Sequence, residues 1–376
     1  MNPLRVCIAA RNTTQRTETF VRAHFDHLPF KILSLQGNDL VQDVAGVVIP
    51  ELGTRGIARY WSALKRRATG RKWDQWCDTS RSRWMQNNQV DVVLAEFGPM
   101  GALIMDSCRA ANVPLVVHFH GYDAYSHVIL DQYRDRYRDM FQYASAVIGV
   151  STDMCRQLVR LGAPSEKVKH ICYGVDVTKF EGAEPNQASA RFVAVGRFVE
   201  KKAPHLTLLA FSKVCAEVPE ARLVFVGDGE LYGPSKQLAR ALGIADKVEF
   251  RGGCPPQVVQ ELMRNSRAFV QHSIVATNGD AEGTPVAVIE AQATGLPVVG
   301  TRHMGIADVV QDGVTGFLVD EQDVDGMAHA MTRLATDAAL AGRLGANGRE
   351  RALAEYTLDR SIGLLAQVLR DAAARQ

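Results

Sequence analysis

Two successive series of short apolar runs, each alternating with helix-like stretches, constrain this chain more than any other feature. LRVCIAA (Leu4–Ala10), KILSL, AGVVI, DVVLA, PLVVHF, SAVIGV and KVKHICYG make the first series; RFVAVG, RLVFVG, KVEF, AFVQ, PVVG and GFLV make the second. Runs so short, separated by helical patterns, read as parallel strands joined by crossover helices. Between the series, Gly174–Ala190 has no long apolar run and carries Pro and Gly, so it reads as a linker. The expected class is α/β: a first domain over 1–173, a linker over 174–190, a second domain over 191–356 and a terminal helix over 357–376. Each half would be a Rossmann-like parallel sheet, the two facing a central cleft.

Composition excludes several classes. With 47% hydrophobic and 22% charged residues the 376-residue chain is a globular protein with material for two cores. A formal net charge of +2 leaves any basic surface local and argues against nucleic acid as a partner. Seven cysteines without a C-x-x-C read as reduced thiols rather than a disulfide framework or a zinc site. No apolar stretch approaches the ~18 residues of a membrane span, and Arg5 with VCIAA reads as a first strand rather than a signal peptide. The expected location is cytoplasmic, with attachment to the inner membrane face left open.

The stretch most suggestive of chemistry is DAEGTPVAVIEAQATGLPVVGT, Asp280–Thr301. Thr284 as N-cap and Pro285 at the first helical position would leave the amides of Val286 and Ala287 free, a site for an anion at the positive end of a helix. Glu282 precedes that start and Glu290 follows Pro285 by about 7–8 Å along the axis. A nucleotide-sugar has this layout, with diphosphate at the helix start, sugar toward Glu282 and ribose toward Glu290. The plainer alternative makes Glu282 a solvated loop acid and Glu290 a buried acid paired with an arginine. VGRFVEKK places Arg197 and Lys202 just after a strand, where open α/β sheets bind ligands, although bare basic residues there are commonly solvated.

Further motifs are less specific. VFVGDGELYG has the spacing G-x-G-x-x-x-G, a poor dinucleotide fingerprint. LVVHFHGYD supplies His118 and His120, read as lying on opposite strand faces, and Asp123, either an acceptor-hydroxyl ligand or a helix cap. All four tryptophans, Trp61, Trp73, Trp76 and Trp84, lie between Thr54 and Met85 among nine Lys/Arg and two Asp, a pattern that suits a lipid headgroup layer or a polyanionic acceptor. The alternative puts Trp61 and Trp84 in the core and the rest on a solvated face.

E-G-x-P-x-x-x-x-E-A followed by G-x-P-V-V resembles the donor loop of the retaining glycosyltransferases of family four, which have the GT-B fold. EFGPMG, the VSTDMCRQLVRLGAPSEKVKHICYG run and NGDAEG resemble the branch that builds colanic acid and other exopolysaccharides. The resemblance implies a hexosyltransferase that moves a sugar from a nucleotide diphosphate to a saccharide or lipid-linked acceptor. It implies catalytic roles for His120, Glu282, Arg197 and Lys202, the last two in an element where a G-R pair is followed by K-G; here Ala203 replaces that glycine. Donor contacts would come from Gly283, Thr284, Pro285, Val286, Ala287 and Glu290, with Gly227, Asp228 and Gly252 at the nucleotide. T-E-T-F with Thr17 and Glu18 resembles S-E-T-F of this branch and, with Asp123, gives acceptor-side candidates; the glycine pair usual after the first strand is absent. With no D-x-D acid pair after a strand, no metal and no cofactor beyond the donor is expected. The alternatives are a nucleotide-sugar epimerase of the same fold and a non-catalytic nucleotide-sugar-binding protein.

Overall fold

The structure, a computed structural model, describes residues 3–11, 19–37, 49 and 73–374. In chain order it contains β1 (Arg5–Ala10), α1 (Thr19–His27), β2 (Lys31–Gln36), α2 (Trp73–Asn87), β3 (Val92–Glu96), α3 (Gly98–Ala111), β4 (Leu115–Phe119), α4 (Tyr122–Tyr125), α5 (His127–Tyr143), β5 (Ala146–Gly149), α6 (Thr152–Arg160) and β6 (Val168–His170). There follow β7 (Arg191–Val195), α7 (Pro204–Glu217), β8 (Arg222–Val226), α8 (Tyr232–Ala241), β9 (Val248–Phe250), α9 (Pro256–Arg264), β10 (Ala268–Gln271), α10 (Val286–Thr294), β11 (Val298–Thr301), α11 (Met304–Val309), β12 (Gly316–Val319), α12 (Val324–Thr336), α13 (Ala338–Glu355) and α14 (Leu358–Ala373). Every apolar run named above is a strand except AGVVI, of which only Ile49 is described.

The strands form two parallel six-stranded sheets, ordered β2-β1-β3-β4-β5-β6 and β12-β11-β10-β7-β8-β9. Helical crossovers cover both faces of such sheets, which is why β3 and β4 are buried along their whole length. The chain separates into two compact units. One comprises Met1–Val150, Met154–Ile171 and Ile362–Gln376; the other comprises Ser151–Asp153 and Cys172–Ser361, so that 174–190 belongs with the second unit.

The second sheet has the Rossmann order, since counting from β7 its strands run 3-2-1-4-5-6. Strand order reverses between β7 and β10, and loops leaving these neighbours turn to opposite faces. Beyond their carboxyl ends a crevice results, the place where open α/β sheets take ligands. Phe192, Phe211, Phe225, Val270 and Met331 fill the core beneath it.

Candidate functional site

Three loops converge on that crevice. The first, after β7, carries Gly196 and Arg197 into a short 3-10 turn at Glu200–Lys202. The second, 272–285, follows β10 and leads into α10. The two are stitched together: Ile274 donates its N–H to the Lys201 carbonyl at 3.0 Å, Thr277 donates its amide to Glu200 at 2.9 Å, and Lys201 Nζ reaches Asp280 at 3.0 Å and the Ala281 carbonyl at 3.1 Å. The third follows β8, where Gly227 passes so close to Gly196 that a Cβ would lie 1.9 Å from its carbonyl oxygen. At φ +133 only glycine suits this position in any case. Asp228 accepts the Gly253 N–H at 2.7 Å, so its carboxylate shapes the Arg251–Cys254 turn, and Gly252 there has φ +65.

Helix α10 starts one residue later than the sequence implies. Pro285, with ψ 115, is itself the N-cap and makes no side-chain cap bond. Thr284 is therefore not the cap; its hydroxyl meets the Cys172 thiol, which burial pushes up to about 12. The consequence expected of this helix start survives the shift, because Val288 N–H is the first to turn back, onto Pro285. Among the described residues, the amides of Val286 and Ala287 have no protein acceptor.

Glu282 is buried, not a solvated loop acid. Its Oε2 lies 3.2 Å from Lys202 Nζ, while Oε1 is buried without a partner among the described residues. Burial works to raise its carboxyl, but the ammonium groups of Lys202 and Lys201 outweigh it and hold it below the usual range. Lys202 is displaced downward, first by burial and then by its cationic neighbours Lys201 and Arg197, against the pull of Glu282. Beyond burial, Lys201 thus adds positive charge that acts downward on both partners. Arg197 is exposed, and among the described residues no carboxylate neutralises it. Arg197, Lys202, Gly196, Thr207 and Gln271 line a shallow pocket open to solvent.

Among the described residues, Glu290 is not paired with an arginine. Among the described residues no cation reaches its carboxyl, and burial alone pushes it up to about 7. Two acids with unused oxygens thus flank a helix start with unused amides.

In the first unit, Glu96 at the end of β3 is fully buried between two imidazoles, Oε1 2.7 Å from His24 Nδ1 and Oε2 2.8 Å from His120 Nε2. Burial works to raise its carboxyl, but His24 and His120 overcome this and hold it far below the usual range. His118 and His120 do not point apart. Their ring centroids are 4.4 Å from each other, because residues two apart along a strand share a face, contrary to the sequence reading. The His120 side chain is only 2% exposed and packs at 4.5 Å centroid distance on both Phe20 and Phe97, so it is enclosed rather than an open base. Phe97 is held at φ +73, a costly conformation for a bulky residue. Asp123 accepts the N–H groups of Gly98, His120 and Gly121 at 2.8–3.0 Å; backbone thus engages the carboxylate expected to serve an acceptor, and Gly121 is the N-cap of α4. His24, Glu96 and His118 bring possible metal-ligand atoms within 4.8 Å of one another. Glu96, however, meets His24 and His120 at ordinary hydrogen-bond lengths, while His118 stays 3.9 Å from it.

Comparison with known proteins now decides the family. A model described as Glycosyltransferase Family 4 matches residues 42–179, and one described as Glycosyl transferases group 1 matches 178–351, so the pair spans both units. The chain belongs to glycosyltransferase family four. The putative colanic acid biosynthesis glycosyltransferase WcaL of Salmonella typhimurium is 31% identical over 64% of this chain and 60% of its own length. The amylovoran biosynthesis glycosyltransferase AmsK of Erwinia amylovora is 28% identical over 65% and 61%. The family-four chain thus matches only about 60% of the length of these curated relatives. HepE of Anabaena, in a crystal structure with UDP and glucose, superposes with a TM-score of 0.77 at 16% identity, covering 98% of this chain and 100% of its own. That likeness establishes the GT-B fold of two Rossmann-like domains.

Some family-four site residues escape the sequence reading. Lys201, Asp280, His303 and Glu321 build the support of the 272–285 loop; His303 and Glu321 lie outside every motif named above, and Lys201 and Asp280, although inside VGRFVEKK and DAEGTPV, are given no part by the sequence. Thr17 and Glu18 lie outside the described residues, as do Trp61 and most of the Thr54–Met85 stretch. Of the three described tryptophans Trp76 is buried and Trp73 and Trp84 are half-buried, so Trp76 is core, a place the alternative reading gives only to Trp61 and Trp84.

Proposed function

We propose that this protein transfers a sugar, with retention of configuration, from a nucleotide diphosphate to a saccharide or lipid-linked saccharide in polysaccharide biosynthesis. The observation that carries this reading is the set at the β7/β10 switch point: excess positive charge at Arg197 and Lys202, free amides at Val286 and Ala287, and the flanking acids Glu282 and Glu290. Cations and amides bind the diphosphate and stabilise the charge that grows on it as the C1–O bond to phosphate breaks. The acceptor oxygen bonds to C1 from the same face, and its proton passes to the departing phosphate oxygen. Glu282 Oε1 orients the sugar; Glu290 takes a ribose hydroxyl. His120, enclosed on Glu96, orders the first unit's site instead of abstracting a proton.

A thermal-shift screen of UDP-, GDP-, ADP- and dTDP-sugars tests the donor class. A donor at a hundred times its Kd stabilises by about 2.7 kcal/mol, and no shift with any of them defeats the reading. Product analysis with and without acceptor separates transfer from epimerisation. Since side-chain cations serve the diphosphate, turnover is expected to persist in EDTA, and a strict need for added divalent metal would contradict the scheme.

We also propose contact with an anionic membrane surface through Thr54–Met85, whose Arg66, Arg67, Arg71 and Lys72 contribute about 1 kcal/mol each near such a surface. Liposome sedimentation should show binding that rises with anionic lipid, falls with salt and drops when these four become glutamine. Equal binding to neutral vesicles would remove the proposal.

A further inference from the structure

The donor loop is supported from behind by an imidazole to which the reaction scheme gives no part. His303, on the bend between β11 and α11, is 1% exposed. Its Nδ1 lies 2.6 Å from Glu321 Oε1, and its Nε2 lies 3.2 Å from the backbone nitrogen of Glu282. A backbone N–H only donates, so Nε2 carries the lone pair and the ring proton sits on Nδ1, donated to Glu321. The neutral Nδ1–H tautomer is the one form that makes both bonds.

Around this ring the loops after β10, β11 and β12 are joined. Glu321 Oε2 accepts the Val275 N–H at 3.0 Å, and the Gln322 N–H donates to His272 Nε2 at 2.9 Å. The Gly305 N–H donates to the Gly283 carbonyl at 3.0 Å. A Cβ on Gly305 would lie 2.1 Å from Thr284 Oγ1, and Met304 before it is held at φ +41, so the bend is forced tightly under the loop. Glu282 is thereby fixed at both ends, its amide by His303 and its Oε2 by Lys202, which leaves Oε1 with a set direction.

We propose that His303, oriented by Glu321, is a positioning residue that aims Glu282 at the donor sugar; this rests on the donor-site reading above. The test compares His303→Asn with His303→Gln. Asparagine retains a donor toward Glu321 but offers the Glu282 amide nothing, whereas glutamine places an acceptor where Nε2 was. His303→Asn should lower kcat on the order of 10- to 100-fold with donor KM little changed, the scale of a misplacement near 1 Å. His303→Gln should recover most of that loss, and in a Glu282→Gln background the asparagine change should add almost nothing. Equal losses in Asn and Gln variants, or an undiminished loss in the Glu282→Gln background, would make His303 merely structural. A second measurement needs no turnover: ¹⁵N-histidine NMR of the wild-type protein, with His303 assigned by its absence in the Asn variant. A neutral ring protonated at Nδ1 is expected, and an Nε2–H ring overturns the proposal. If the wild type transfers no sugar from any donor, the functional reading fails while the NMR result still decides the brace.

Discussion

Replacing Lys202 by methionine should lower kcat by about 10²- to 10³-fold, the loss seen when one preorganised group is taken from a developing oxyanion, with a much smaller rise in donor KM. The methionine keeps an unbranched stem where Lys202 packs, 3.3 Å from where a Cβ on Gly196 would sit, and removes only the charge. Ground-state phosphate keeps Arg197 and the helix amides, whereas the extra charge of bond breaking loses its buried cation, so the effect falls on the chemical step. The same change leaves Glu282 buried and unpaired, for which the cost in stability is about 3–5 kcal/mol. Adding Glu282→Gln should restore the melting temperature but not turnover, so the single and double variants together separate the two consequences. Arg197→Ala, at an exposed position, should lower kcat without moving the melting temperature. Wild-type turnover at saturating donor in either single variant would remove the diphosphate role.

Glu290→Gln should stabilise the unliganded protein above pH 7 and weaken donor binding. Burial raises the Glu290 carboxyl from 4.5 to about 7, so between these values the folded chain holds a proton that the unfolded chain has released. Stability therefore falls as pH rises from about 4.5 to 7 and stays reduced above it. Glutamine abolishes this slope, a gain of about 1–3 kcal/mol at pH 8. The loss appears with donor present: a ribose hydroxyl donating to an ionic acceptor contributes about 1.5–3 kcal/mol, roughly ten- to a hundredfold in affinity. Calorimetry and melting curves at pH 5 and 8 check both signs. A variant less stable than wild type at pH 8, or unchanged in donor affinity, would show that Glu290 has another partner.

The fold was legible in the sequence because strands buried on both faces cannot hide their apolar runs, and twelve of those read became twelve strands. The helix start was legible for a similar reason, since it announces itself through Pro285 and the acids around it. What escaped is set by contacts between residues far apart in sequence. Spacing could not show that Lys202 meets Glu282 across 80 positions of chain, that His303 reaches back 21 residues to the Glu282 amide, or that Asp123 folds inward onto three N–H groups. The misplaced helix cap shows a limit of another kind: Thr-Pro at a helix start admits two registers, and the Thr284 hydroxyl found the Cys172 thiol. His118 shares the face of His120 because residues two apart on an extended chain point the same way.

The Lys202–Glu282 pair also bears on how the site empties. When a nucleotide diphosphate departs, a cation left alone in a half-closed pocket would hold the product back by its own unmet charge. Here the counter-ion is tethered 3.2 Å away, so the ammonium keeps a carboxylate partner as phosphate leaves and need not wait for an ion from solution. Product release, often the slow step once chemistry is fast, would then be driven partly by the protein closing its own circuit of charge, and its rate should respond to Glu282 more than to the salt in the buffer.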